Sequence, residues 1–507
     1  MAFSELLADM ESFPTLAWVS PALTAVAVIL VALFSGYRKS PKGFNVPTLG
    51  EDSQMRYVQE ADVLLREGYE KFKNTIFQVL TPDGPRLFLP RKFANELKPF
   101  KRHEASGMKA LADRHLGHYT TIDHESDVML GAIKIDLNRN LGLFVGDVEQ
   151  EVSHCFKTNF PSCEAAEWTP IDLHESLLRI VAQASARIFV GYPMCRNDEW
   201  LECSTKFALD VMTGGEKLKL WHPWLRPFAQ YWIPEMRQIR GDHQRALDLL
   251  MPELKKRAAE VQQPDAPPRQ DMIQWMQQRA QKLGDKSFDY KELANLQMLT
   301  ATAAIHTTRL AIIHALYDIA ARPEYIAPLR EEIREVTRDT NGVLQKQHLT
   351  QMRKLDSFMK ESQRHSPPSV ATYQRKAMIP IDLSNGFHIP RGTIVQCNTN
   401  ILDETPAAWG EPHAFDGFRF YRLRENPDDT NRFQFASPSY DSMQFGFGND
   451  ACPGRFFASN QIKIILSYIL SHYDIKFEDS VKGRPKNFMF EVNVLADPTV
   501  KVLFKKL

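Results

Sequence analysis

Residues 445–454 read Phe445-Gly446-Phe447-Gly448-Asn449-Asp450-Ala451-Cys452-Pro453-Gly454, and this stretch decides how the rest of the chain is read. It fits Phe-x-x-Gly-x-x-x-Cys-x-Gly. At the composition of this chain such a match arises by chance on the order of 10⁻³ times. One cysteine follows a glycine-rich turn, and Pro453 is predicted to open the next helix. Amides at a helix N-terminus favour thiolate over thiol. Gly448 and Gly454 let backbone approach a flat ligand, and Phe445 can shield the sulfur from water. A thiolate so placed suits the axial position of a haem iron, which makes Cys452 the expected metal ligand. The plain alternative is a buried thiol in a tight turn.

Working outward, residues 289–322 are long and apolar, without Gly or Pro between Leu293 and Ala321. A helix that is apolar nearly all round is buried. At 1.5 Å per residue, about 30 residues give a central helix of ~45 Å. The charged run Arg330-Glu-Glu-Ile-Arg-Glu-Val predicts an amphipathic helix, and another helix ends near His365. Residues 367–397 change character. Short alternating runs between Pro and Gly, at 370–373, 378–381, 386–389 and 393–397, predict strands. One helix follows Cys452 to about Tyr473, and strand-like pieces close the chain. Residues from about 55 to 375 read mainly as helix. The fold class is therefore mainly α with a minor β part.

Residues 15–34, TLAWVSPALTAVAVILVALF, carry no charge over 20 positions. That length spans a ~30 Å hydrocarbon core. Glu5, Asp9 and Glu11 precede it, and Arg38, Lys39 and Lys42 follow. The positive flank places the C-terminal side in the cytoplasm. The order of charge is the reverse of a signal peptide. Residues 1–40 are thus expected to be a single-pass N-terminal transmembrane helix and flank, and 41–507 the catalytic body. Lys plus Arg and Asp plus Glu are both 62, which argues against a chain-wide basic field for nucleic acid. Six cysteines in 507 residues form no disulfide framework. The eight-residue spacing of Cys155/Cys163 and Cys195/Cys203 does not suit zinc, so these are expected to be buried thiols.

With these motifs in hand, the chain resembles the cytochrome P450 haem-thiolate monooxygenases. Glu361-Ser-Gln-Arg364 fits the Glu-x-x-Arg helix of that family. Glu331/Arg334 and Glu335/Arg338 fit the same pattern, but only Glu361/Arg364 lies directly before the Pro-rich strand entry. The resemblance implies that Glu361, Arg364 and Arg419, from Phe-Asp-Gly-Phe-Arg-Phe at 415–420, form a buried charge network. On the central helix, Ala303-Ala-Ile-His306-Thr307 resembles the Ala/Gly-Gly-x-acid-Thr segment. Ala303 and Thr307 would then face the reacting oxygen, with the Thr307 hydroxyl handling protons. Ala304 stands where a Gly is usual and His306 where an acid is usual. His306 is either a proton relay or a buried polar residue.

The resemblance further implies haem b (iron protoporphyrin IX) as cofactor, a central helix over it, and O₂ activation with oxidation of a C–H bond. Electrons would come from NADPH through an NADPH–cytochrome P450 reductase, with cytochrome b5 as an optional second donor. No nucleotide or flavin fingerprint occurs in the chain, which fits a separate donor. The lipid bilayer of the endoplasmic reticulum and a lipophilic small molecule complete the expected partners. The wording of residues 303–308, 415–424 and 445–458 is similar to the fungal secondary-metabolism branch. Its members include ent-kaurene oxidases and indole-diterpene or meroterpenoid monooxygenases. A haem-thiolate isomerase or dehydratase without a reductase, and a non-enzymatic haem sensor, are the competing readings. Asp450 departs from the basic residue usual two places before the Cys. It would repel a haem propionate by a few kcal/mol unless it points away or a cation, best Arg375, compensates it. The family's Trp-x-x-x-Arg helix is not evident. Finally, residues 218–232 carry Trp221, Trp224, Phe228 and Trp232, readable as a second membrane contact or as core packing.

Overall fold

Asp289 sets the start of the longest helix: its side chain accepts a hydrogen bond from the Glu292 amide at 2.8 Å, as an N-cap should. The helix then runs 32 residues, Tyr290–Ala321, so it is ~48 Å long. Eighteen of its side chains are buried, among them Leu293, Leu296, Ile312 and Tyr317. The computed structural model describes residues 43–50, 54–82, 84–260, 269–399 and 401–507. The expected membrane segment at 15–34 lies outside the described residues. Among the described residues no helix is long and apolar enough to cross a membrane.

Six helices position the site: α1 (Gly107–Arg114), α2 (Asp198–Lys219), α3 (Pro234–Glu260), the central α4 (Tyr290–Ala321), α5 (Arg353–His365) and α6 (Arg455–His472). Helices α2 and α3 pack on one another and both pack on α4; α5 and α6 meet α4 from other sides, as does the helix Leu173–Phe189. One large core joins these helices, with Trp200, Phe207, Tyr317, Phe358 and Ile465 almost wholly enclosed. The amphipathic helix expected near residue 330 is Ile326–Val336.

The main sheet holds β1 (Thr48–Leu49), β2 (Phe77–Thr81), β3 (Gly84–Leu89), β4 (Ala105–Ser106), β5 (Tyr373–Ala377) and β6 (Ile394–Cys397) in the order β1-β2-β3-β6-β5-β4. β2 and β3 form an antiparallel hairpin with Phe77 opposite Phe88, and β3 runs parallel to β6. Residues 55–375 are mainly helical as expected, and this hairpin is a strand pair within them that the reading did not name. Its signal was present, a Pro-Asp-Gly turn sequence between runs of alternating β-formers. Two other expectations shift. Pro380 keeps residues 378–380 out of the ladder, and pairing begins only at Ile381. Pro453 lies in the turn before α6, which begins at Arg455 with Gly454 as its N-cap.

Candidate active site

The loop before α6 is closed by its own backbone: the Cys452 amide donates to the Phe445 carbonyl at 2.7 Å. Closing so tight a loop requires left-handed backbone at Gly446 (φ +74°) and Gly448 (φ +73°), where side chains are disfavoured. The Gly448 position is also filled from outside, since a Cβ there would lie 2.7 Å from Lys98 Cγ. Its small size also serves packing against Lys98. At Gly454 a Cβ would meet no protein atom within 4 Å. The Phe445 ring stands edge-on to Phe435 with centroids 5.2 Å apart.

Burial pushes the Cys452 thiol above its ordinary range, while the Gly454 and Arg455 amides and the Arg455 guanidinium pull it down without winning. The amides at the helix end thus favour the thiolate, as the sequence reading expects, against the opposing effect of burial. A soft-ligand site with two amides on the sulfur fits a metal cation such as haem iron, which would supply the missing stabilisation.

On α4, Ala303 and Thr307 are exposed although Thr300, Ala301, Ile305 and Thr308 around them are buried. The Thr307 hydroxyl donates to the Ala303 carbonyl at 2.8 Å. Its lone pairs are left to accept from the open side. His306 points elsewhere. Its Nε2 is 3.0 Å from the Thr205 carbonyl oxygen on α2. A carbonyl only accepts, so Nε2 carries the proton. Burial lowers the His306 pKa, so the ring is neutral and ties α4 to α2. One residue of helix turns it ~100° from Thr307.

Glu361 on α5 is fully enclosed. Arg364 donates to both its oxygens at 2.9 and 2.8 Å, Arg419 to Oε1 at 3.3 Å, and the Asp416 amide at 3.0 Å. Burial alone would raise its pKa; Arg364 and His365 instead hold it down at about 2. The His365 ring lies 3.4 Å from the carboxylate, a member the sequence did not disclose. Arg364 and Arg419 spend their remaining donors on the carbonyls of Trp409, Glu411, Pro412 and Ala414. The competing pairs Glu331/Arg334 and Glu335/Arg338 are all exposed.

Asp450 is compensated twice. Arg102 Nε lies 2.9 Å from one oxygen and Arg375 Nε 3.5 Å from the other, which also accepts from the Gly107 amide at the start of α1 at 2.9 Å. Arg375 further donates to the carbonyls of Gln374 and Phe447 and lies over the Tyr373 ring. Sequence reasoning named Arg375 and missed Arg102, whose basic run at 98–102 has no motif. It also missed the π-helical turn Ala132–Leu137. That turn brings Lys134 to the Asn449 carbonyl, and Asn138 just after it to that of Pro453. Such turns recur at functional sites.

The aromatic segment after α2 is surface. Trp224 is 78% exposed, Trp232 67%, Phe228 62% and Leu220 86%, which removes the core-packing reading. Cys155, Cys195, Cys203 and Cys397 are buried free thiols whose pKa burial pushes up to about 12. Among the described residues no group of His, Cys, Asp and Glu could hold a bare metal ion.

The sequence model of the family Cytochrome P450 matches residues 143–504. The chain is 78% identical to cytochrome P450 monooxygenase braC of Annulohypoxylon truncatum over 97% of this chain and 99% of that one. It is 34% identical to cytochrome P450 monooxygenase BOA4 of Botryotinia fuckeliana, over 95% of each chain. It is 35% identical to cytochrome P450 monooxygenase AN1598 of Emericella nidulans, over 89% of this chain and 84% of that one. With a closed Cys452 loop, an open Thr307 face and a buried Glu361 network on one body, the chain belongs to the cytochrome P450 family and is a monooxygenase of that family.

Proposed function

We propose that the protein oxidises a lipophilic natural-product intermediate of terpenoid or meroterpenoid type at the endoplasmic reticulum membrane, with electrons from NADPH through a separate reductase. The observation that carries the reading is the exposed Ala303/Thr307 step on an otherwise buried helix that also packs against α6. Haem b fits the residues present. Cys452 would hold its iron. Arg102, Arg375 and Lys134 give the neighbourhood of the Cys452 loop an excess of positive charge over Asp450 alone, which suits the haem carboxylates. When bound, the haem supplies O₂ activation and C–H oxidation.

The chain's own residues then have definite tasks. Ala303 leaves room beside the helix for a small molecule. Thr307 Oγ1, its proton already on the Ala303 carbonyl, accepts from a proton-bearing oxygen on the open face and orients it. The wall of apolar side chains on α4 excludes bulk water. The exposed Trp224, Phe228 and Trp232 suit a bilayer interface from which a lipophilic substrate could enter. The experiment is incubation of the membrane-bound protein with a flavoprotein reductase and a panel of fungal terpenoids. NADPH-dependent incorporation of an oxygen atom from ¹⁸O₂ is the expected result. Consumption of a substrate without NADPH or O₂ would instead favour the isomerase or dehydratase reading.

A further inference from the structure

A cavity of about 340 Å³ lies between the helix Ala61–Phe72, the β2–β3 hairpin, the segment after β6 and residues 440–441. None of its lining residues belongs to α4, α6 or the loop 445–454. Its volume is at the small end of the range for small-molecule sites.

The floor of the cavity is aromatic because β2 and β3 set Phe77 opposite Phe88. Their rings stack with centroids 5.6 Å apart, and Phe72 from the helix leans on Phe77 at 5.8 Å. Tyr69 and Tyr440 add two further rings to the wall. Surfaces of this kind suit a flat aromatic partner.

Arg91 is the polar centre of the wall. Its side chain is only 7% exposed, yet charge rather than hydrogen bonding holds it. Nε is buried without a hydrogen-bond partner. Glu404 Oε2 is 3.1 Å from it but out of line with the N–H, and Asp441 Oδ1 is 3.9 Å from Nη1, beyond hydrogen-bond reach. The guanidinium lies over the Tyr440 ring at 5.8 Å. A guanidinium carries five N–H donors, and a buried donor without an acceptor costs free energy. An acceptor brought into the cavity would remove that cost.

The surrounding charges decide what kind of acceptor fits. An anion would meet Glu404 and Asp441 beside Arg91. A cation would meet Arg91 together with Lys73 and Lys92, which line the same cavity. A neutral hydroxyl avoids both penalties: its oxygen accepts from Arg91 and its proton goes to the Asp441 carboxylate.

We propose that this cavity is a binding site, separate from the haem face, for a neutral, flat aromatic molecule bearing a hydroxyl, with its ring against Tyr69, Phe72 and Phe77 and its oxygen on Arg91. No bond is made or broken there. The inference goes beyond the monooxygenase reading and does not depend on it.

The test uses the full-length holoenzyme with its haem iron ligated by excess 4-phenylimidazole, so that the catalytic face is occupied. The probes are naphthalene, 2-naphthol, 2-naphthoate and 2-naphthylmethylammonium, measured by equilibrium dialysis with the Soret band recorded alongside. 2-Naphthol should bind about tenfold tighter than naphthalene, the worth of one or two hydrogen bonds. It should also bind tighter than both charged probes and leave the Soret band unmoved. Arg91→Met should erase that preference. Because this change leaves Glu404 and Asp441 without their cation, a second variant fills the cavity instead. Asn74 is exposed and lines it, and Asn74→Trp should abolish 2-naphthol binding while leaving the reduced carbon-monoxide spectrum unchanged. Equal binding of naphthalene and 2-naphthol, tighter binding of either charged probe, or an unchanged 2-naphthol affinity in both variants overturns the proposal. So does competition between 2-naphthol and 4-phenylimidazole, which would put the probe at the haem face.

Discussion

At the scale of single residues, charge compensation dominates. Glu361 is buried and held at about 2, against an ordinary 4.5. A carboxylate with a depressed folded pKa contributes its full stability above the unfolded pKa and loses it as pH falls. The window is therefore pH 4.5 down to about 2, and the amount is roughly 3 kcal/mol. Glu361→Gln should remove that acid step and destabilise the body at neutral pH by about 3–5 kcal/mol, because Arg364 and Arg419 stay buried and unpaired. Chemical denaturation across that pH range checks both; an unchanged midpoint at pH 7 would contradict the network.

From sequence, Asp450 would repel a haem propionate unless it points away or Arg375 compensates it. It is paired with Arg102 and Arg375 and bonded to the first amide of α1, which makes it a structural anion. Asp450→Ala should cost about 2–3 kcal/mol, allowing for the partial exposure of Arg102. A slower haem loss in the variant would show that Asp450 acts against the haem. The contacts of Glu361 with Arg364 and Arg419 were legible because their motif chemistry is specific, and the structure joins the three side chains. Arg102 and His365 were not legible, since each reaches its partner through tertiary packing that no local pattern encodes.

Among elements, α4 was readable almost to the residue, because a largely apolar run without Gly or Pro between Leu293 and Ala321 leaves few alternatives. The β2–β3 hairpin was missed, since its short runs sit among helical periodicities and pairing depends on distant β6. His306 shows why a position on an element matters more than its type. Its ring is bonded to Thr205 on the neighbouring α2, so His306→Phe should lower stability by about 1 kcal/mol and leave the pH profile of turnover unmoved. A shifted pH profile would reinstate the relay. The segment between α2 and α3 makes a further expectation. Its exposed Trp224 and Trp232 should be quenched by brominated lipid in vesicles, and undiminished fluorescence would show that this surface faces water.

Over the whole molecule, the zero net charge conceals local balance. Many buried acids, among them Asp271, Asp318, Glu361 and Glu491, are met by arginines, and Arg102 and Arg375 flank Asp450 beside the Cys452 loop. Cys452 stands in the loop before α6 and Thr307 on α4, and these two helices pack against each other. Burial raises the Cys452 thiol while the Gly454 and Arg455 amides lower it; a bound haem iron would add stabilisation to the thiolate. The central claim is thus most directly tested by the carbon-monoxide difference spectrum of the reduced full-length protein, beside that of Cys452→His. The wild type should give a Soret maximum at about 450 nm, the signature of thiolate ligation, and the variant should lose it while keeping its haem. A wild-type maximum at about 420 nm in freshly prepared, folded protein, or an unaltered band in the variant, would contradict the account.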